Sequence, residues 1–433
     1  MDTAFVGHVG SLELASLGAC TSIFHLAFNA FRATTTATTS LVASSLHRNP
    51  QEAREVTQLS LTCGVIIGLF LLLSLRYGGT WCLDCMGIAT SSNLFAPAHS
   101  YLTTRAWAAP AVLFIVVSEG AFRGYGNTKI PLLASGVAAI INLILDPVMM
   151  FVMNMGVMGA AAATAISQLG AALVYGISMN KMEMLPHHHT HTHTHVKVNR
   201  TKVIQTILGA NMAMMAKQGS LLLAWAYATA RATRLGTAYV AAHQVALSFW
   251  LVFALLLDGG AVSAQVLMSR ACAKKDLHQM RDLSKFFVKF AIWQGLLTTI
   301  LIGSASTIVP EIFTSDATIQ LYLHQLMPHL AAQQILISLT LVVESLAAGA
   351  HEFNLLAVGT TLSTLLAMHR LRQATNVLSI WSNGIVTLFV GRLVTALIGA
   401  AKANKVWKRS FVLRDDDNDD NNNKDGKTTT TTP

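Results

Sequence analysis

Residues 131–153 read PLLASGVAAIINLILDPVMMFVM, an apolar stretch that contains a single charged side chain, Asp146. The stretch is long enough to cross a lipid bilayer as an α-helix, which takes about 20 residues. Hydrocarbon offers no partner to backbone polar groups, so a segment of this kind is stable there only as a helix. It therefore predicts a membrane-spanning helix and raises the question of why that helix carries an ionisable group.

The composition extends this prediction to the whole chain. Of the 433 residues, 53% are hydrophobic and 12% are charged, whereas about a quarter of the residues of a soluble domain are charged. Eleven apolar segments approach spanning length: 12–46, 57–75, 101–122, 131–153, 157–180, 203–229, 237–269, 286–309, 319–349, 353–371 and 376–400. We predict an all-α fold, a polytopic transmembrane helix bundle.

The net charge of +9 is distributed by loop. Most basic residues fall in alternate connections and at the C-terminus, and the opposite loops hold only Arg76, Arg231, Arg234, Arg370 and Arg372. This asymmetry is the positive-inside pattern. It predicts that the basic loops and the C-terminus face the cytoplasm or an equivalent compartment, and it gives no reason to expect a nucleic-acid partner.

Two short patterns indicate an internal repeat. GSLELASLGA, from Gly10, and GTAYVAAHQV, from Gly236, each open a long apolar segment. These two starting glycines are 226 residues apart. VSEGAFRG (117–124) and VVESLAAG (342–349) form a second pair, whose members are 225 residues apart. Duplicated halves are frequent in membrane transporters, so we predict two pseudo-symmetric lobes, with five spans in the first and six in the second.

The polar stretches set the predicted boundaries. We expect an N-terminal lobe over 1–180, a His-rich loop over 181–202, a C-terminal lobe over 203–409 and a disordered tail rich in Asp, Asn and Thr over 410–433. The tract HHHTHTHTH (187–195) is interpreted as a tolerated expansion of a flexible loop, with weak metal binding as the alternative. The single CLDC (82–85) is weak evidence for metal or redox chemistry. We predict no metal, no cofactor and no enzymatic activity.

Charged residues within spans are the candidates for function. Each costs about 2.5–3.5 kcal/mol at the centre of a membrane helix and usually faces a cavity or a pathway. The candidates are Asp2, Glu119, Asp146, Asp258, Glu344, Arg32, Lys217 and Arg392. The bases favour an anionic substrate if they face the cavity, and carry no such information if they extend to the membrane interface.

Asp146 is the strongest of these candidates. A buried carboxylate can load a proton on one side of a membrane and release it on the other; the alternative is an acid that is permanently paired or that caps a broken helix. Asn142, one helical turn earlier, lies on the same face, and Pro147 removes a backbone donor and can act as a hinge. Thr164 in the next helix is expected to contact the acid or to bond back to its own helix.

Four blocks together resemble the MATE (multidrug and toxic compound extrusion) family, in particular its DinF-like branch with plant organic-anion exporters. They are DTAFVGHVGSLELASLG, FRGYGNTKIPL, NLILDPVMMFVMNMGVMGAAAAT and AAHQVALSFWLVFALLLDGGAVSAQ. The resemblance implies a two-lobed exporter that alternates between inward and outward states and is driven by protons or sodium. It also implies a coupling site formed by Asp2, Asn142, Asp146 and Thr164, with Glu344 at the acid position of the second lobe.

The chain departs from the family pattern at several points. Glu344 stands where an aspartate is usual, Asn127 replaces an acid, Glu119 replaces a glutamine, and the histidine tract is an insertion. The family has six spans in each lobe, so most of the first helix is expected to be missing, and Met1 is expected to be a misplaced start.

We therefore expect a secondary antiporter that exports an organic solute, such as a drug, a metabolite or a carboxylate like citrate, in exchange for protons. It is expected to work as a monomer in a lipid bilayer, and the sequence leaves open whether that is the plasma, a plastid or a vacuolar membrane. The alternatives are a truncated protein of the same fold that does not transport, and a sodium-coupled exporter of cationic drugs. A membrane-embedded enzyme lacks a plausible His/Asp pair.

Overall fold

The computed structural model describes residues 11–86, 88–186, 200–313 and 317–401. Most of these residues are helical, and no β-strand is found among them. This confirms the predicted all-α class. The helices are α1 (Ser11–Arg48), α2 (Pro50–Cys85), α3 (Phe95–Ala106), α4 (Ala109–Gly124), α5 (Lys129–Pro147), α6 (Gly156–Lys181), α7 (Arg200–Leu235), α8 (Thr237–Lys274), α9 (Leu277–Ala305), α10 (Val309–Phe313), α11 (Ala317–Ala332), α12 (Gln334–Gly349), α13 (Phe353–Arg372) and α14 (Val377–Ala401). π-Helical turns follow α5 at Val148–Val152 and lie within α14 at Ile380–Ile385.

Each of the eleven predicted segments coincides with a helix or with a bent pair of helices. The pair α3 and α4 is bent by 50°, and the pair α11 and α12 by 45°. In the described part of the chain, six helices are individually long and apolar enough to cross a membrane, and eight spans result if each bent pair counts as one. The remaining three segments, in α1, α7 and α13, are helical but carry more polar residues.

Several helices present apolar side chains outward, as a protein in lipid does. In α5, Leu132 is 76% exposed and Ile140 is 59% exposed, and in α8 Leu255 is 69% exposed. Of the most apolar part of Lys129–Val152, the segment that includes α5, only 11% is buried within the protein. Water would make such a surface costly, whereas hydrocarbon does not, so the chain is a multi-pass membrane protein.

The chain divides into two compact units, residues 1–219 and 220–433. The core of the first unit includes Phe24, Tyr101 and Leu102 from α1 and α3. The core of the second includes Trp250 and Trp381 from α8 and α14. The lobe boundaries given above stay a prediction, since the division into units falls within α7.

The two units repeat the same helix connection. Asn49 caps the N-terminus of α2 by accepting a hydrogen bond from the backbone N–H of Gln51, and Asp276 caps α9 by accepting one from Gln279. Asn and Asp suit this position because their side-chain oxygen satisfies an orphan N–H of the first turn. The two caps are separated along the chain by almost the same interval as the paired sequence patterns.

Glycine contacts repeat in the same way. A Cβ added to Gly68 of α2 would lie 2.6 Å from Cα of Pro110, and one added to Gly295 of α9 would lie 2.7 Å from Cα of Ile335. The offset from Gly68 to Gly295 nearly equals that from Pro110 to Ile335, and both match the sequence repeat. In both units, therefore, a glycine lets the backbone of the bent pair approach closely just after its break.

A second glycine contact follows the same rule. A Cβ on Gly124 would lie 3.0 Å from the carbonyl oxygen of Thr39, and one on Gly349 would lie 2.5 Å from that of Gln265. These glycines close the two octapeptides on which the repeat was predicted. The repeat is thus present in the packing as well as in the sequence, because small residues allow membrane helices to pack backbone to backbone.

Candidate functional site: a buried polar cluster between α5 and α6

Asp146 lies near the C-terminal end of α5. Its side chain is buried, although most side chains of this helix are exposed or partly exposed. Within α5 only Ala134 and Asp146 are buried, and Asp146 has no exposed surface. The helix therefore directs its single acid into the first unit. An ionisable side chain placed in this way marks a functional position more often than a structural one.

Asn142 links Asp146 to α6. Its Nδ2 donates to Oδ1 of Asp146 at 3.2 Å and to Oγ1 of Thr164 at 3.3 Å. An amide nitrogen carries two hydrogens, so it can make both bonds at once. The contact predicted from the four-residue spacing is present, and Thr164 joins the cluster through Asn142. We call Asn142, Asp146 and Thr164 the α5–α6 polar cluster.

Small residues bring α6 close enough for this cluster to form. A Cβ on Gly159 would lie 2.8 Å from the carbonyl of Met149, and one on Gly170 would lie 2.6 Å from Cδ1 of Ile141. Thr164 lies between these two glycines along α6. The close approach holds its hydroxyl within hydrogen-bond distance of α5.

Pro147 changes the geometry of the turn that follows Asp146. Proline has no N–H, so it cannot bond to the carbonyl of Leu143. The chain continues as a π-helical turn over Val148–Val152, in which the N–H of Met153 donates to the carbonyl of Val148 at 2.9 Å. α5 runs through the proline as one span, Lys129–Val152, with a widened turn in place of a sharp break. π-Helical turns of this kind often lie beside functional residues.

Glu344, the predicted acid of the second unit, forms a buried ion pair. Nε and Nη2 of Arg392 donate to the two carboxylate oxygens at 2.8 and 2.7 Å, which joins α12 to α14. Both side chains are 4% exposed. The bidentate geometry is the strong form of a charge-assisted hydrogen bond, so a proton that binds Glu344 has to compete with an arginine.

The other predicted cavity residues lie in different settings. Glu119 is partly buried and pairs with Arg123, one turn along α4. Lys217 is partly buried in α7, and Asp258 is exposed in α8. Asp2 and the histidine tract fall outside the described residues, and for Arg32 only the helical backbone is described.

Two buried polar arrangements were not predicted from the sequence. Arg105 donates to the Tyr101 hydroxyl at 2.6 Å, and its guanidinium lies 4.8 Å from the centre of the Phe24 ring. In the second unit, His243 is fully buried and contacts Thr229 and Trp381. The only signal for His243 was a histidine inside the apolar stretch AAHQVALSFW, and nothing in the local pattern indicates its partners.

The fold and the α5–α6 polar cluster define a multi-pass helical membrane protein that is built from two repeated units. The chain belongs to the MatE family, whose family model matches residues 1–148 and 221–369. The two matched stretches are of nearly equal length, and one falls in each repeat. This agrees with the repeat seen in the glycine contacts and helix caps.

Known relatives are found among plant proteins. The chain is 28% identical to Protein DETOXIFICATION 43 of Arabidopsis thaliana over 81% of its own length and 65% of that protein's length. It is 31% identical to Protein DETOXIFICATION 44, chloroplastic, of the same plant, over 82% of its length and 69% of the relative's. The chain thus spans about two thirds of the length of these relatives.

Solved structures of the same fold are also similar. The crystal structure of the Vibrio cholerae MATE transporter VcmN in the bent form superposes with a TM-score of 0.82, at 20% identity, over 94% of this chain and 92% of the other. At this identity the likeness establishes the fold alone. It supports the bundle architecture independently of the family match.

Proposed function

We propose that this protein is a secondary antiporter that exports an organic solute in exchange for protons and that Asp146 carries the proton. The observation that carries the proposal is a fully buried acid on an otherwise outward-facing helix, bonded to the neutral side chain Asn142. Family membership supports transport in general, and VcmN is itself described as a transporter.

The orientation of Asn142 favours a proton over sodium as the coupling ion. Sodium is a hard cation that requires oxygen ligands, as calcium and magnesium do. The amide presents its N–H₂ group both to Asp146 and to Thr164, and these hydrogens would face any cation bound between the two oxygens. In the carboxylate form Asp146 accepts the amide hydrogen, and in the acid form the second oxygen carries the proton. The sodium-coupled exporter of cationic drugs is the alternative that this geometry disfavours.

A carboxylate solute, such as citrate, is the substrate class we propose. Lys217 lies partly buried within the apolar segment 203–229, and a base that faces the cavity favours an anionic substrate. The guanidinium of Arg392 is bound by Glu344. Lys217 is the cavity base that we propose for the carboxylate.

We place the protein in an organelle membrane in this proposal, because one of its relatives is named as chloroplastic. The basic loops and the C-terminus would face the stroma or the cytoplasm. Asp2 remains a proposed coupling residue and Pro147 a proposed hinge. For Glu344, predicted as a second coupling residue, the buried ion pair with Arg392 supports a structural role in this proposal.

The test is solute flux in proteoliposomes under an imposed pH gradient. Radiolabelled citrate and a cationic dye are offered in parallel to wild type, Asp146→Asn and Asp84→Asn. Asp84 is an exposed acid at the end of α2 and serves as the matched control for loss of one carboxylate. We expect citrate flux that follows the gradient in wild type and in Asp84→Asn, and no such flux in Asp146→Asn.

Other results would decide differently. Gradient-driven flux that persists in Asp146→Asn would remove Asp146 from the mechanism. Dye flux without citrate flux, driven by a sodium gradient imposed in place of the pH gradient, would establish the alternative exporter. A folded wild-type protein that moves neither solute would favour the non-transporting protein.

A further inference from the structure

His243 lies at the centre of an aromatic cluster in the second unit. It has no exposed surface, and its ring centroid is 5.7 Å from that of Trp381. Trp381 in turn contacts Trp225, whose ring centroid is 4.8 Å from that of Trp250. A fully buried histidine against Trp381 is not required by packing alone, since an apolar side chain of similar volume would fill the space without a polar group to satisfy.

The hydrogen bonds of His243 define its protonation state. Nε1 of Trp381 lies 3.2 Å from Nδ1 of His243, and Oγ1 of Thr229 lies 3.1 Å from Nε2. An indole nitrogen can only donate, so Nδ1 must accept with its lone pair. The ring is therefore neutral, with its hydrogen on Nε2 and directed at the Thr229 hydroxyl.

Protonation of this ring is incompatible with the observed contact. An imidazolium carries N–H groups at both nitrogens. A proton that adds to the Nδ1 lone pair breaks the hydrogen bond from Trp381 and sets two N–H groups against each other. The indole of Trp381 must then turn away or the helices that hold the two rings must separate.

Trp381 is placed so that such a change reaches two irregular elements. It lies within the π-helical turn Ile380–Ile385 of α14. Its carbonyl oxygen accepts a hydrogen bond from Nε2 of Gln333 at 3.4 Å, and Gln333 is the residue at the 45° bend between α11 and α12. A displaced Trp381 therefore acts on the widened turn and on the bend together.

The hydrophobic residues that pack against this cluster include three tyrosines, Tyr227, Tyr239 and Tyr322. The charged or ionisable side chains on the same elements are directed elsewhere. Arg231 of α7 donates to the carbonyl of Ala374 at 3.0 and 2.6 Å, and Arg392 of α14 binds Glu344. Exposed positions hold Arg234 of α7, Asp258 of α8, and His324 and His329 of α11.

We propose that His243 is a proton-binding residue of the second unit and that its protonation at Nδ1 displaces the indole of Trp381. The site takes up a proton at Nδ1 and forms no bond to any other group. In the proposed antiporter, to which this role is tied, it would report proton occupancy to the bend of the second unit. Proton binding and indole displacement can be measured without any transport.

The test observes the indole N–H groups of the full chain in lipid nanodiscs by two-dimensional NMR with ¹⁵N-labelled tryptophan, from about pH 8 to about pH 3.5, because full burial of the His243 ring opposes its charged form. Trp381→Phe assigns the Trp381 signal. Trp107, an exposed tryptophan of the first unit, supplies the internal control. We expect the Trp381 signal to shift through one transition as the pH falls, while that of Trp107 stays in place.

His243→Gln separates this explanation from a general acid effect. Glutamine keeps a buried amide but cannot take up a proton, so the transition of the Trp381 signal should be lost. Asp146→Asn should retain it, because Asp146 lies in the other unit. A Trp381 signal that does not move in wild type, or that moves equally in His243→Gln, would overturn the proposal. The wild-type titration decides by itself if the variant does not fold, and neither result depends on flux through Asp146.

Discussion

At the scale of residues, the two acids singled out as coupling candidates differ in their partners. Asp146 accepts from the amide of Asn142, whereas Glu344 faces the guanidinium of Arg392 through two bonds. A buried ion pair is expensive to break, because removal of one partner leaves an unpaired charge. Asp146 is therefore suited to binding and releasing a proton, and Glu344 to holding α12 against α14.

Glu344→Gln should be strongly destabilising, because it leaves Arg392 charged and buried. The expected cost is about 3–5 kcal/mol, and the double variant Glu344→Leu with Arg392→Met should recover most of it. Thermal unfolding in detergent measures both. Glu344→Gln protein that melts like wild type but no longer couples flux to the gradient would instead assign Glu344 to proton coupling.

Asn142→Ala and Thr164→Val rank the members of the α5–α6 polar cluster. Asn142 donates one hydrogen bond to Asp146 and a second to Thr164, so Asn142→Ala removes both of these bonds and Thr164→Val only the second. A hydrogen bond to a charged group contributes about 1.5–3 kcal/mol. We expect gradient-driven flux to fall by roughly tenfold or more in Asn142→Ala and by less in Thr164→Val. Equal losses would mean that Thr164 contacts the proton pathway itself.

At the scale of elements, glycines and irregular turns determine how the helices meet. Gly68 and Gly295 stand where any Cβ would collide with backbone of the bent pair. Pro147 and the π-helical turn after it widen α5 next to its acid. Neither feature adds much free energy by itself, but both decide where neighbouring backbones lie.

Gly295→Ala should lower the melting temperature, and Gly303→Ala, on the same helix, should not. A Cβ at Gly295 would meet Cα of Ile335, whereas one at Gly303 meets nothing within 4 Å. Overpacking against backbone costs about 1–3 kcal/mol, while alanine in an open helical site gains up to about 1 kcal/mol over glycine. Equal melting temperatures for the two variants would show that the bent pair can yield.

Pro147→Ala tests the proposed hinge. Alanine restores the N–H, so α5 can continue as a regular α-helix, and the fold should be as stable as wild type or more so by up to about 3 kcal/mol. Flux should fall even so, if the widened turn is needed for the conformational change. Melting and flux measured on one preparation separate the two effects, and unchanged flux would reject the hinge.

At the scale of the whole molecule, the predicted topology has each span cross the membrane from one side to the other. The bent pair α3 and α4 is the place to test this, since a 50° bend is shared by broken spans and by re-entrant loops. Labelling of the loop before the pair and of the loop after it distinguishes the two.

Cysteines introduced at Asn93 and Thr128, which flank this pair and are exposed, should be labelled from opposite sides of the membrane. Thr128 lies beside Arg123 and Lys129 and is expected on the basic, cytoplasmic-equivalent side. A membrane-impermeant maleimide applied to sealed, oriented vesicles reads this out, in a background without the five native cysteines. Labelling of both positions from one side would make the pair a re-entrant loop.

Hydropathy and residue spacing were enough to predict the helical membrane class, the eleven apolar segments, the repeat and the pair Asn142 and Asp146. Each of these follows from hydropathy or from spacing along one helix, which are local properties. The partners of Glu344, Thr164 and His243 lie on other helices, 48, 22 and 138 residues away. Only the tertiary structure decided them, because a single sequence records the face of a helix but not which helix packs against that face.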